Sequence, residues 1–318
     1  MPLFTRRNFL LGAGTCVLAG AGTTAYATAI EAGLRLEVTR YSITPPHWPK
    51  DLTLRAAVIS DIHACEPWMP PSRVRLIAEV ANSLSPDIIF LLGDFNGGNR
   101  VASQPVWPEQ WAEALSILSA PLGSYAILGN HDWMHGPLPY IRGDKGESIR
   151  RALAPANIKL LENDALRLNK DGRAFWVAGL GSQTGYFDDH HRWTRGMDDL
   201  PGTLAKVTDQ SPVLFLAHEP YIFHKISDTA TDLGDRRISL TLSGHTHGNQ
   251  INVPFLTPHL VKRPFVQDLV YGHIVRNGHH LLVSGGLGTS VVPVRINRPP
   301  EVLDVTIKGT GPALAASM

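Results

Sequence analysis

Cysteine is nearly absent from this chain: Cys16 and Cys65 are the two in 318 residues. That excludes a disulfide framework, so a buried core must hold the fold. An excess of one charge sign is also missing. The 29 basic and 28 acidic residues give a formal net charge of +1, so no broad field marks a nucleic-acid binder. No internal repeat, low-complexity tract or Pro/Gly/Ser-rich linker divides the chain. What remains is ordinary globular composition, 43% apolar and 18% charged, long enough to bury a large core.

Charge is missing locally as well. After Arg6 and Arg7, no charged residue occurs until Glu31. Thr5-Arg6-Arg7-Asn8-Phe9-Leu10 resembles the twin-arginine export signal, and the Gly-, Ala- and Thr-rich run behind it is weakly apolar, as in such signals. Ala25-Tyr26-Ala27 offers a small-residue cleavage site. The alternative is a retained anchor, because Asn8 to Ile30 is long enough to span a bilayer. Residues 1–30 are therefore expected to be a signal peptide or anchor, and 31–318 a single domain in the periplasm or cell envelope. Cleavage after Ala27 removes Arg6 and Arg7 from the 29 basic residues, leaving 27 against 28 acidic ones and a net charge of −1. It also leaves Cys65 alone, in keeping with export of an already folded protein.

Behind this segment, short apolar runs alternate with helical periods. Leu34–Ile43, Leu54–Ile59, Asp87–Leu92 and Tyr125–Leu128 read as strands, and Pro70–Leu84, Trp107–Leu118 and Gly146–Leu153 as helices. Lys159–Leu168, Ala174–Ala178, Pro212–Ala217 and Ile238–Leu242 read as further strands. Tyr271–Arg276, His280–Ser284 and Val302–Ile307 follow, with turns at Asn277-Gly278 and Gly285-Gly286. The expectation is one α/β domain with two sheets, the first largely parallel.

Polar residues collect where the buried runs end. The clusters are Asp61-Ile62-His63, Gly93-Asp94, Gly129-Asn130-His131-Asp132, His218-Glu219 and Gly244-His245-Thr246-His247-Gly248. Each alone is an ordinary turn. Together, at five strand ends, they supply the oxygen and nitrogen ligands of hard-to-borderline metals where open parallel sheets build their sites.

In that order, Asp-x-His, Gly-Asp, Gly-Asn-His-Asp, a lone His and Gly-His-x-His resemble the calcineurin-like metallophosphoesterase superfamily. The resemblance runs from Val58 to Gly248. The stretch LLVSGGLGTSVVPVRINRPPEV extends it toward an exported bacterial phosphodiesterase branch. It implies a sandwich of two mixed β-sheets flanked by helices, with a metal site at the carboxyl ends of the strands. It implies two divalent ions about 3.5–4 Å apart, with manganese the leading expectation and iron or zinc the alternatives. Asp94 is assigned as the bridging ligand. Asp61, His63 and His247 fall to the first ion, and Asn130, His218 and His245 to the second. A hydroxide bridging the ions attacks phosphorus in line, His131 assists the leaving group, and Asp132 orients His131.

The implied substrate is a phosphodiester, which could belong to a cell-envelope lipid or polymer. The protein is expected to act as a monomer without nucleic-acid partners, with membrane association open. A nucleotide-sugar lipid pyrophosphate hydrolase is the alternative, and a non-catalytic metal-binding module a weaker one. Gly97 stands where purple acid phosphatases carry a tyrosinate, which argues against a purple ferric centre. Gly285-Gly286-Leu287-Gly288 reads as a turn before a phosphate loop, and Cys65 as a small buried residue. His135, Trp133, Tyr140, the His190-His191 pair and the Lys262-Arg263 pair are secondary candidates for a pocket rim or an anionic contact, with packing or solvation the plainer reading.

Overall fold

In the computed structural model the described residues are 20–99, 104–134, 144–186, 190, 192–228, 237–254 and 268–309. Arg6, Arg7, His135, Tyr140, His191, Lys262 and Arg263 lie outside them. Twelve strands form two six-stranded sheets. They are β1 (Glu37–Ile43), β2 (Thr53–Ile59), β3 (Ile88–Leu91), β4 (Ser124–Ala126), β5 (Ile158–Leu160), β6 (Asp164–Lys170), β7 (Arg173–Gly179), β8 (Val213–Leu216), β9 (Ile238–Ser243), β10 (Gly272–Arg276), β11 (His279–Val283) and β12 (Glu301–Lys308). The first sheet runs β1-β12-β2-β3-β4-β5 and the second β10-β11-β9-β8-β7-β6.

The pleat assigns the core. Leu54, Ala56, Val58, Ile88 and Phe90 of the first sheet face Phe175, Val177, Leu214, Leu216, Leu240 and Leu242 of the second, forming the dry sandwich interior. The alternate residues Ala57, Ile59, Ile89 and Leu91 point outward and pack under α1 (Pro71–Ser83) and α2 (Pro108–Leu115). Helix α1 matches them with Val74, Ile77, Ala78 and Ala81, at i, i+3, i+4 and i+7, and starts with Pro71 at its first position. Trp176, Ala178, Val213 and Phe215 cover the far face of the second sheet against Leu200, Ile222 and Ile226. Strands buried on both faces read as continuous apolar runs for this reason. Each fully buried Leu, Ile or Phe contributes roughly 2 kcal/mol.

The arrangement is the expected two-sheet sandwich, with two departures. The run Lys159–Leu168 is two strands: β5 pairs in parallel with β4, and β6 turns back at Asn163 (φ 48°) to pair antiparallel with β7 in the other sheet. Continuous β-propensity concealed a crossing between sheets. The last strand also leaves its neighbours. β12 inserts between β1 and β2, antiparallel to β2 and parallel to β1, so the first sheet is mixed. The Asn277-Gly278 turn is as expected, both residues having positive φ (49° and 81°), the two-residue hairpin geometry. Among the described residues no helix is long and apolar enough to cross a membrane.

Candidate metal centre

The carboxyl ends of β2, β3 and β4 in one sheet meet those of β8 and β9 in the other. The chain must stop being strand there and turn sharply. It does so with left-handed backbone at Asp61 (φ 53°), His63 (47°), Asp94 (55°), His245 (72°) and His247 (52°). Asp and His tolerate this region better than apolar residues do. The glycines next to them give room. A Cβ on Gly129 would lie 2.2 Å from Asp94 Oδ1, and one on Gly244 would lie 2.0 Å from Ser60 Oγ and 2.4 Å from Asp61 Oδ2.

All seven expected ligand residues converge. Asp94 Oδ2 lies 3.4 Å from His63 Nε2 and 3.2 Å from His218 Nε2, between the two halves. His63 Nε2 and His247 Nε2 are 3.1 Å apart, and Asp61 Oδ1 is 3.7 Å from the latter. On the other side Asn130 Oδ1 meets His245 Nδ1 at 2.8 Å. The ligand atoms of Asp61, His63 and His247 lie within 4.8 Å of one another, as do those of Asp94, His218 and His245. The set His63, Asp94 and His131 meets the same criterion, so geometry leaves His131 within reach of an ion.

Burial and mutual charge set the protonation of this cluster. Burial drives His63 down to about 3 and His245 to about 4, so both rings are neutral and offer lone pairs. Burial lifts Asp61 to about 6. Burial alone would raise Asp94 too, but His218, His131 and His63 outweigh it and hold its carboxyl well below the usual range. His218 shows the converse: burial would lower it, and Asp94 and Asp61 raise it well above the ordinary imidazole value. Its Nδ1 donates to the Leu92 carbonyl at 2.7 Å, while its buried Nε2 faces Asp94 Oδ2 at 3.2 Å. Three buried imidazole nitrogens, of His63, His218 and His247, face two buried carboxylates, a donor set that fits divalent cations once the His218 proton is displaced.

His131 and Asp132 sit at the start of the short helix Asn130–Met134. The His131 N–H donates to Asp94 Oδ1 at 2.8 Å, and its ring stands edge-on to His63 with Nε2 3.5 Å from Ser290 Oγ. Asp132 does not make the contact expected of it. Its oxygens accept main-chain N–H groups from Asp94 (2.8 Å), Phe95 (2.9 Å), Asn96 (3.2 Å) and Gly129 (2.9 Å). It clamps the loop that carries Asp94, because four N–H groups point into its buried pocket, and the spacing Asn-His-Asp gives no sign of this. Asp132→Asn places an NH₂ against some of those donors. The expected result is a loss of about 3 kcal/mol in unfolding free energy and weaker metal retention, read by denaturant titration and metal analysis.

Ser60, Tyr221 and Arg295 escaped the sequence reading. Ser60 Oγ donates to Asp61 Oδ2 at 2.6 Å, Tyr221 Oη lies 3.2 Å from His245 Nε2, and Arg295 Nη2 lies 3.2 Å from His247 Nδ1. Ser60 adjoins a motif, but the other two are brought in only by the fold. The Gly285–Gly288 loop is a turn, as read. Its N–H groups go to Glu301 Oε1, Ser284 Oγ, Ser60 O and Asp61 O, which leaves none for a phosphate. Trp133 is packed, stacked on Tyr186 with the Arg150 guanidinium over its ring. Cys65 is buried.

The family model for the calcineurin-like phosphoesterases matches residues 54–249, which spans every one of these candidate residues. The chain belongs to that family. It is a phosphoester hydrolase of the metallophosphoesterase type. The chain is similar to the uncharacterised metallophosphoesterase YkuE of Bacillus subtilis (strain 168), 29% identical over 98% of this chain and 100% of that one. It is similar to an uncharacterised metallophosphoesterase of Aquifex aeolicus (strain VF5), 29% identical over 87% of this chain and 93% of the relative. It also matches UDP-2,3-diacylglucosamine pyrophosphatase LpxG of Chlamydia trachomatis serovar D, 27% identical over 69% of this chain and 73% of that protein.

Proposed function

We propose that this metallophosphoesterase is an exported, dimetal phosphodiesterase. The observation that carries the reading is Asp94 Oδ2, placed between His63 Nε2 and His218 Nε2 with a three-ligand cluster on either side. Asp61, His63 and His247 would hold one ion and Asn130, His218 and His245 the other, with Asp94 shared and manganese the first choice. When bound, the pair supplies Lewis acidity toward phosphoryl oxygens and a water of lowered pKa. Asp94, fixed through the His131 N–H, sets the separation of the two halves. His131, half-buried beside the ligands and reaching Ser290 at the rim, is placed to hand a proton to the departing alkoxide. The buried carboxylate of Asp132 keeps Asp94 and Gly129 in register. The paired arginines at 6 and 7 and the uncharged run behind them support export to the cell envelope, with the domain acting as a monomer.

The test is hydrolysis of bis(4-nitrophenyl) phosphate by purified full-length protein stripped of metal and reloaded with manganese. Turnover that appears on loading and vanishes with a chelator is expected. Loaded protein that cleaves neither mono- nor diesters sinks the proposal.

A second reading rests on the similarity to LpxG, named for pyrophosphatase action on UDP-2,3-diacylglucosamine. The same centre would suit a pyrophosphate bond, and the uncharged N-terminal run would then serve as an anchor. A lipid-linked pyrophosphate cleaved much faster than simple diesters would favour it.

A further inference from the structure

The small-residue cleavage site at Ala25-Tyr26-Ala27 is built into the folded domain. Residues 20–25 are helical and run into a π-helical turn, Tyr26–Glu31, with Ala25 itself in helical backbone (φ −61°, ψ −43°). Ala27, whose peptide bond would be cut, is 1% exposed. Its carbonyl oxygen accepts the Arg295 N–H at 3.1 Å and the Ala32 N–H at 3.3 Å. Glu31 and Ala32 are buried as well, and Glu31 Oε1 accepts the Arg298 N–H at 3.0 Å. The two arginines are themselves fixed beside the metal centre. The buried Arg295 side chain donates from Nε to Gly288 O and from Nη1 to Arg298 O, both at 2.9 Å, and Arg298 Nε donates to Gly248 O at 3.0 Å. Just beyond the turn, Arg35 O accepts from Arg73 Nη2 at 2.9 Å.

A peptidase needs the opposite arrangement. Its nucleophile must reach the scissile carbonyl carbon, and its own donors must take the carbonyl oxygen. Exposed, irregular backbone allows this. At Ala27 the residue is buried and the oxygen already holds two N–H donors, so cutting requires the turn to unwind and leave Arg295 and Arg298. The outer side of the same segment is apolar. Tyr26, Ile30 and Leu34, at i, i+4 and i+8, are exposed. They continue the uncharged run that begins at Asn8. Aromatic and aliphatic side chains at the end of such a run suit the interfacial layer of a bilayer.

We propose that docking on Arg295 and Arg298 keeps the bond after Ala27 uncut, so that the uncharged run stays attached and holds the domain on a lipid bilayer. This rests on the export reading above and not on which phosphoester is cleaved. A chain folded before export carries the docked segment with it, and a signal peptidase meets a closed site. The tether then ends on the loops that flank the metal centre, which keeps that centre close to the membrane surface.

The experiment incubates purified bacterial signal peptidase with the full-length protein in detergent and, separately, with a synthetic peptide of residues 8–36. The peptide should be cut after Ala27, and the folded chain at least about tenfold more slowly. Glu31→Lys sets a cation against the Arg298 N–H, which should release the segment and bring cutting of the folded chain up toward that of the peptide. Equal cutting of peptide and wild type, no cutting of the peptide, or a Glu31→Lys chain as resistant as the wild type overturns the proposal. The first two need no variant to fold. In cells, a C-terminally tagged chain should stay with the membrane through carbonate extraction, be reached by protease added from outside, and have the mass of the uncut chain. A released chain short by residues 1–27 overturns the proposal. An uncut chain reached only from the cytosolic side overturns the export reading itself, and this proposal with it.

Discussion

Asp94→Asn is expected to reduce phosphodiester turnover by about 10³-fold or more, equivalent to roughly 4 kcal/mol of transition-state stabilisation. The variant is nearly isosteric and retains an acceptor for the His131 N–H, so the fold should survive. What it loses is the second anionic oxygen, the one 3.4 Å from His63 Nε2 and 3.2 Å from His218 Nε2. An amide cannot serve two cations at once, and its NH₂ would face nitrogens that need to be lone-pair donors. Metal content should drop from two ions per chain to one or none. Full metal occupancy with intact turnover would remove Asp94 from the centre.

His131→Ala should separate chemistry from metal binding. Turnover is expected to fall about 10²–10⁴-fold, the range for loss of a positioned general acid, while both ions stay bound. The geometry makes this a sharp test, because His63, Asp94 and His131 together could also hold an ion. Loss of one equivalent of metal in His131→Ala would make it a ligand and end its role as proton donor. The leaving group gives a second readout. A nitrophenolate leaves without a proton, so the defect should be much smaller on bis(4-nitrophenyl) phosphate than on an alkyl diester. Equal defects on both would count against proton transfer.

The convergence of the candidate residues was legible because each follows a run of buried apolar residues, and two buried faces leave a strand few other ways to be written. Val58-Ile59 before Asp61 and Leu240-Thr241-Leu242 before His245 are such runs. The fold was legible for the same reason, down to the Asn277-Gly278 hairpin. What lay outside the sequence is contact between distant segments. Nothing near Asn130 says that Asp132 will meet four N–H groups, three of them from residues 94–96. Nothing in VRINRPPE says that Arg295 will reach His247. Lys159–Leu168 has the composition of one strand and spans two sheets, because propensity is blind to which sheet a residue joins.

The position of β12 has a consequence for the order of assembly. β1 and β2 follow each other in the chain but do not pair; β12 lies between them, with Glu37 opposite Glu301 and Val58 opposite Leu303. A nascent chain therefore carries both early strands through nearly the whole of its synthesis before residue 308 can join them. Pairings this distant in sequence make folding slow and late. Glu301, at the start of that strand, also holds the Gly285 N–H at the base of the loop under Asp61. The loop under Asp61 is thus tied to a strand that is made more than two hundred residues after the strand it completes.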